Sequence, residues 1–160
     1  MLFLLLQLGD DRYALKANQI VEVLPLLQLK KLPQSPTGVA GVMDYRNSPV
    51  PVLDLSELAI QRPSKPKLST RIVVVNLADG QDDVRLVGLI AENVTETLQR
   101  DPGDFVFSGI ESSRTPYLGP VVMDTRGMIQ WVKPAVLLPA PLYGEIFKQS
   151  AEVQWQASSL

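Results

Sequence analysis

Val42-Met43-Asp44-Tyr45-Arg46-Asn47 returns later in the chain as Val122-Met123-Asp124-Thr125-Arg126-Gly127. The echo runs on: Val52 falls opposite Val132, and Leu58 opposite Leu138. A second echo matches Leu15, Ala17, Ile20, Glu22 and Leu24 with Leu89, Ala91, Val94, Glu96 and Leu98. Its offset is slightly different, as a loop insertion between matched strands requires. Apolar alternation alone makes strands look alike, but the shared Met-Asp-x-Arg and x-Glu-x-Leu positions go further and indicate a duplicated unit. Two tandem units of this size are each too small to hold a large core. They are expected to pack against each other through a shared apolar layer.

The units are built of strands. Thirteen prolines cut the chain into short pieces, and a proline inside a helix costs about 3 kcal/mol. Runs such as Ile72-Val73-Val74-Val75 are β-branched and suit a strand. Three hairpins are expected: Met1–Leu8 with Tyr13–Leu15 around Gly9–Arg12, Ile72–Leu77 with Val84–Ala91 around Ala78–Asp83, and Val121–Asp124 with Met128–Val132 around Thr125–Gly127. Helices are confined to Leu55–Ile60, a single turn at Pro134–Leu138 and a short segment at Leu142–Gln149. Ala151–Leu160 is expected to fray. Many short strands separated by turn signals make the class all-β, a barrel or a sandwich.

Composition removes much chemistry. The 160 residues carry 15 Lys+Arg against 17 Asp+Glu, with no histidine and no cysteine. There is no thiolate nucleophile, no thiolate zinc site and no disulfide frame. Ser-His and Cys-His arrangements are excluded with the imidazole. A net charge of −2 argues against a nucleic-acid partner, which calls for a basic stripe. The pairs Lys30-Lys31 and Lys65 with Lys67 sit among prolines and read as solvated loop charges. No stretch reaches the roughly 18 to 20 apolar residues that span a bilayer, and Met1–Leu8 reads as a strand, so the chain is expected in the cytoplasm without direct membrane insertion.

No phosphate-cradling loop or dinucleotide fingerprint occurs. Asp44, Asp54 and Glu57 are close enough to consider as an acid/base pair, but Asp54 stands where a helix N-cap belongs and Glu57 completes a capping box. No catalytic residue, metal ligand or cofactor is assigned. One constellation has a second reading. Glu22 shares a strand face with Ile20, while Val21 and Val23 face the other way, and Arg46 lies at the turn after Gly41–Tyr45. If those strands are neighbours, Glu22 and Arg46 pair across them, either as a surface ion pair worth about 0–1 kcal/mol or as a charged marker beside an apolar docking surface. The proline-interrupted run Leu24–Leu29 is either exposed for a partner or buried between the units.

Taken in order, these motifs resemble the CheW family of bacterial chemotaxis coupling proteins. The resemblance rests on Leu8-Gly9-Asp10-Asp11-Arg12-Tyr13-Ala14-Leu15 with Ile20-Val21-Glu22-Val23, on Leu32-Pro33-Gln34-Ser35-Pro36, and on Gly41 through Leu55. It continues with Val87-Gly88-Leu89-Ile90 and Val94, Tyr117-Leu118-Gly119, Gly127-Met128-Ile129 and Leu137-Leu138. It implies two tandem SH3-like, five-stranded β-barrels within a domain spanning 1–150, the first over about 10–70 and the second over 71–140. The N-terminal strand is then a candidate for exchange between them, and 151–160 a flexible tail. The resemblance further implies a non-catalytic adaptor between the cytoplasmic tip of a methyl-accepting chemoreceptor and the regulatory domain of a CheA-type histidine kinase, recruited to membrane arrays through those partners. Ile20, Glu22, Gly41, Arg46, Asn47 and Val50 are its implied partner-binding residues. The sequence departs from the family pattern at Asp44 for Asn, Asn47 for Gly, the extra Pro49, Ser56 for Arg, and Ala91-Glu92 for Val-Asp. These departures point to an auxiliary member with its own cognate partners. A β-barrel module binding a peptide or oligosaccharide outside chemosensing, or a hydrolase using Asp44 and Asp54, are the alternatives.

Overall fold

The computed structural model describes residues 1–78, 84–109 and 118–134. Nine strands and one short helix occur there: β1 (Leu2–Leu8), β2 (Asp11–Lys16), β3 (Ile20–Pro25), β4 (Val39–Tyr45), β5 (Ser48–Asp54), α1 (Leu55–Ile60), β6 (Arg71–Asn76), β7 (Leu86–Gln99), β8 (Leu118–Asp124) and β9 (Gly127–Val132). The all-β class, the three hairpins and the helix at Leu55–Ile60 are as expected. The expected segment 142–149, the tail 151–160 and most of the turn at 134–138 lie outside the described residues.

Strand β7 organises the rest. Its first half pairs antiparallel with β6, from Asn76↔Leu86 to Arg71↔Ala91, and parallel with β5 through Val52↔Gly88 and Asp54↔Ile90. Its second half pairs antiparallel with β1, from Leu5↔Glu96 to Leu2↔Gln99. The order β4-β5-β7-β6-β3 makes one sheet, and β7-β1-β2-β9-β8 the other. Each sheet closes on itself through a two-bond bridge. The segment after β3 returns to β4, Lys30 N donating to Val42 O at 2.9 Å and Val42 N to Lys30 O at 2.8 Å. The segment after β7 returns to β8, with Val106 and Val121 exchanging two bonds of 2.8 Å. Two small five-stranded barrels result, each with one parallel pair, β5–β7 or β2–β9.

The pairing crosses the sequence division at residue 70 in both directions. Hairpin β1–β2 lies in the barrel of β8 and β9, and hairpin β6–β7 lies in that of β3, β4 and β5. The echo explains this. Positions 15–24 span β2, a 3-10 turn at Ala17–Gln19 and β3, and their counterparts 89–98 form the single strand β7. Where the first copy breaks, the second only kinks, at Asn93 with φ 49°.

Burial follows from the crossing. One core, inside the first barrel, contains Met43, Tyr45, Val50, Val52, Ile72, Val74 and Ile90. Another, inside the second, contains Phe3, Leu5, Ala14, Phe105, Val122 and Ile129, where Phe3, Phe105 and Trp131 stack with ring centroids 5.1 Å apart. The third joins Leu6, Leu8, Tyr13 and Leu15 to Leu53, Leu55, Val73, Val75, Leu89 and Val94, and this is the shared layer. Strands β1, β6 and β7 bury both faces, so they read as continuous apolar runs rather than alternating ones. At α1, Asp54 is the N-cap, accepting from Ser56 N and Glu57 N. Its own N–H donates to Gly38 O at 2.8 Å, which displaces the reciprocal bond that a capping box asks of Glu57.

Gly41 sits beside the closing bridge of the first barrel, at φ 152° and at a register shift between β4 and β5. A Cβ there would come within 2.5 Å of Lys30 O, a backbone atom of the bridge itself. Gly41→Ala should therefore lower stability by about 1–3 kcal/mol through backbone displacement and a strained bridge. Urea unfolding measures this, and a midpoint equal to the parent's would contradict it.

Candidate functional site

Alternation along β3 is inverted relative to an ordinary surface strand. Ile20, Glu22 and Leu24 are half-buried, while Val21 and Val23 are exposed. A carboxylate on the inner side needs partners, and the end of β4 and the turn after it supply them. Tyr45 OH donates to Glu22 Oε2 at 2.5 Å, and Arg46 Nη2 donates to the same oxygen at 3.3 Å. Accepting from the phenol holds the Tyr45 proton and raises its pKa above the ordinary value. The Arg46 guanidinium also lies over the Tyr45 ring, 5.2 Å from its centroid.

The turn holds Arg46 in place. Tyr45 pairs with Ser48, leaving Arg46 and Asn47 as a two-residue loop at φ 50° and 66°. Both angles are positive, as a type I′ hairpin turn requires. Asn tolerates that region better than other residues with a Cβ, so the turn forms without the glycine of the family pattern. Two of the implied binding residues do not face outward. Val50 is only 3% exposed and packs in the first barrel's core, and Gly41 is buried at the bridge. Ile20 packs partly against the shared layer. That leaves Glu22, Arg46 and Asn47 accessible, with Val21, Val23, Leu26 and Leu27 exposed on and just after β3. The run Leu24–Leu29 is thus largely at the surface rather than between the barrels.

The same constellation is built a second time. Arg126, the echo of Arg46, donates from Nη2 to Oε2 of Glu96, the echo of Glu22, at 2.6 Å. Val106, Phe107, Met123 and Met128 are exposed on this barrel, with Met123 and Met128 directly opposite across β8–β9. This second pair was not read from the sequence, although the two echoes, which match Glu96 to Glu22 and Arg126 to Arg46, carried the signal for it. Less legible was Asp124, whose counterpart Asp44 is exposed. Asp124 takes two bonds from Arg12, Nη1 to Oδ2 at 2.8 Å and Nη2 to Oδ1 at 2.5 Å, and one from Arg126 N. The Arg12 guanidinium holds the Asp124 carboxyl well below the usual carboxylate range, the Arg126 N–H adding to it against the opposing effect of burial.

Between the start of β1 and the end of β7 lies a cleft of about 740 Å³, lined by Met1, Leu2, Ala17, Asn18, Gln99 and Arg100 among others. No sequence motif marks it, because its walls are a 3-10 turn and strand ends. Among the described residues, no three acidic side chains gather as metal ligands, and no helix is long and apolar enough to cross a membrane.

Comparison with known proteins agrees with this fold. The profile of one family, described as the CheW-like domain, matches residues 2–141. The chemotaxis protein CheW of Klebsiella aerogenes is 27% identical over 96 residues, which is 60% of this chain and 55% of that protein. The match thus spans little more than half of that relative's length. The crystal structure of the scaffolding protein TtCheW from Thermoanaerobacter tengcongensis superposes with a TM-score of 0.76 at 20% identity, covering 88% of this chain and 89% of that one.

Two measurements check the local geometry. Asn47→Gly removes the Cβ at positive φ and should raise stability by about 0.5 kcal/mol in urea unfolding; a loss would contradict the turn assignment. The Arg12–Asp124 pair makes stability depend on acid. Because folding lowers the carboxyl's pKa, its contribution is complete above the unfolded value near 3.9 and drains as pH falls toward the folded one. Asp124→Asn should cost about 1–2 kcal/mol at neutral pH, with the difference from the parent shrinking near pH 2. A pH-independent difference would contradict the ion pair.

Proposed function

The chain belongs to the CheW-like domain family, and from that membership we propose that it is an adaptor coupling a chemoreceptor to a histidine kinase. One observation carries the reading. The Glu–Arg pair beside exposed apolar residues occurs once on each barrel, as Glu22–Arg46 and as Glu96–Arg126. An adaptor needs at least two docking faces on one chain, and a duplicated fold supplies them. Exposed Val21, Val23, Leu26 and Leu27 provide apolar area on the first, worth about 25 cal/mol per Å² removed from water. The ion pair beside them adds little stability of its own and instead sets orientation and discriminates between partners.

The partners are the cytoplasmic tip of a methyl-accepting chemoreceptor and the regulatory domain of a CheA-type kinase, whose own barrel packs against a barrel of this chain. Residues 1–150 form the adaptor domain in this reading, working in the cytoplasm and reaching receptor arrays through its partners. Coupling requires no bond to be made or broken, which suits a chain without histidine or cysteine. Arg46→Glu tests the assignment. Arg46 is exposed, its side chain 75% accessible, so the fold should survive, as circular dichroism would show. Reversing its charge should weaken binding of the purified kinase regulatory domain or of the receptor tip at least about tenfold, a loss of 1.4 kcal/mol. Unchanged affinity for both would leave Arg46 a purely structural residue.

A further inference from the structure

A second cleft, of about 410 Å³, shares no lining residue with the one described above. It lies where four pieces of chain meet: the β1–β2 turn at Gly9 and Asp10, helix α1 at Ser56, the connector carrying Arg62, Lys65 and Lys67, and the kink of β7 at Glu92 and Asn93. We propose that this cleft binds a small phosphate monoester that also carries hydroxyl groups.

The wall is held in place by bonds that leave its cations free. The Asp54 carboxylate accepts from Ser64 N at 2.8 Å and Ser64 Oγ at 2.7 Å as well as from the start of α1, tying the connector to the helix. Lys65 N donates to Glu92 Oε1 at 3.2 Å, Thr70 Oγ1 donates to Lys65 O at 2.6 Å, and Lys67 N donates to Thr70 Oγ1 at 3.3 Å. The backbone of Lys65 and Lys67 is thus fixed. Their side chains and that of Arg62 enter no ion pair among the described residues. Gly9 makes room for Arg62, whose Nη2 would stand 3.3 Å from a Cβ there.

The deep end points independently to a ligand. Ser56 is 1% exposed and lines the cleft, yet its Oγ has no hydrogen-bond partner among the described residues. Native proteins leave few such groups unsatisfied, and a hydroxyl can both donate and accept. Glu92, 8% exposed, accepts only the Lys65 N–H among the bonds described for it, so its carboxylate can take a further donor. The arrangement is therefore two-ended: at the rim three exposed cations outnumber one exposed carboxylate, Asp10, and within lie a hydroxyl and a second carboxylate. The rim favours an anion, and three separate N–H donors match the three terminal oxygens of a phosphate better than the two of a carboxylate. The inner end, where a carboxylate would repel a second anion, favours the hydroxyl of the same molecule. The volume falls in the range of small-molecule sites. Lys65 and Lys67 are too few and too local for a nucleic-acid track, but they suit one phosphate.

Titration of the full-length chain, followed by amide resonances, tests this with glycerol 3-phosphate and with inorganic phosphate. Sodium acetate and sodium chloride at matched ionic strength are the controls. The expected result is saturable shifts confined to the cleft, with a Kd for glycerol 3-phosphate below about 1 mM and weaker binding of inorganic phosphate. Lys65→Gln combined with Lys67→Gln should weaken both at least about tenfold. Both side chains are exposed, so the unliganded thermal midpoint should hold; if that variant is nonetheless destabilised, Arg62→Gln must show the same weakening. Ser56→Ala should weaken glycerol 3-phosphate and leave inorganic phosphate unchanged. Equal shifts with chloride or acetate, binding that does not saturate, or full binding by the lysine variant would overturn the site. A Ser56→Ala variant that kept the preference for the ester would overturn its hydroxyl-binding end. None of these residues belongs to the Glu22–Arg46 or Glu96–Arg126 faces, so the outcome is independent of the adaptor assignment.

Discussion

Every layer of this protein depends on β7 serving two sheets at once. A strand that gives its first half to one barrel and its second half to the other has no solvent-facing side over much of its length, and Val87, Gly88, Leu89, Ile90 and Ala91 are all buried. Neither barrel is complete without it, and the apolar layer between them exists because alternate residues of β1, β6 and β7 point into different cores. The constraint also places the chemistry. The turns of the β4–β5 and β8–β9 hairpins lie at the surface, where each presents an arginine to a glutamate, Glu22 of β3 or Glu96 of β7 itself.

On each barrel an ion pair lies beside exposed apolar residues. In the first barrel, Glu22 is turned inward and satisfied by Tyr45 and Arg46, which leaves valines on the outer side of β3. The two barrels have also diverged. Asp44 is exposed, whereas its counterpart Asp124 is locked to Arg12; the second hairpin is thus anchored to β2 by a charge pair, while the first is anchored by Tyr45 in the core. Equivalent positions carry a Glu–Arg pair in both copies, but each copy is fastened differently.

The repeated hexamer made the duplication legible, and the prolines and β-branched runs the strand class; of the two Glu–Arg pairs only Glu22–Arg46 was read, although Glu96 and Arg126 stand at echoed positions. Of the crossing between barrels only the exchange of the N-terminal strand was anticipated, and that from the resemblance; the reciprocal crossing of β6–β7 was not legible. Hydrophobic patterning says that β1 and β6 are buried on both faces but not against which partner, and pairing over such distances is set by the whole fold. Val50 was carried over from the resemblance by position alone, and the structure buries it with Pro51 and Val52. Gly41 read as part of a binding block, whereas its geometry serves the bridge at Lys30. The cleft around Ser56 carried no motif at all, since its walls come from four separated segments.

The adaptor account stands or falls on whether one molecule holds two partners together. Size-exclusion chromatography with light scattering, on an equimolar mixture of this chain, a receptor cytoplasmic fragment and a kinase regulatory domain from its host, measures that directly. The account predicts a ternary species that disappears when this chain is omitted. Two binary complexes that exclude each other, or no complex at all, would contradict it.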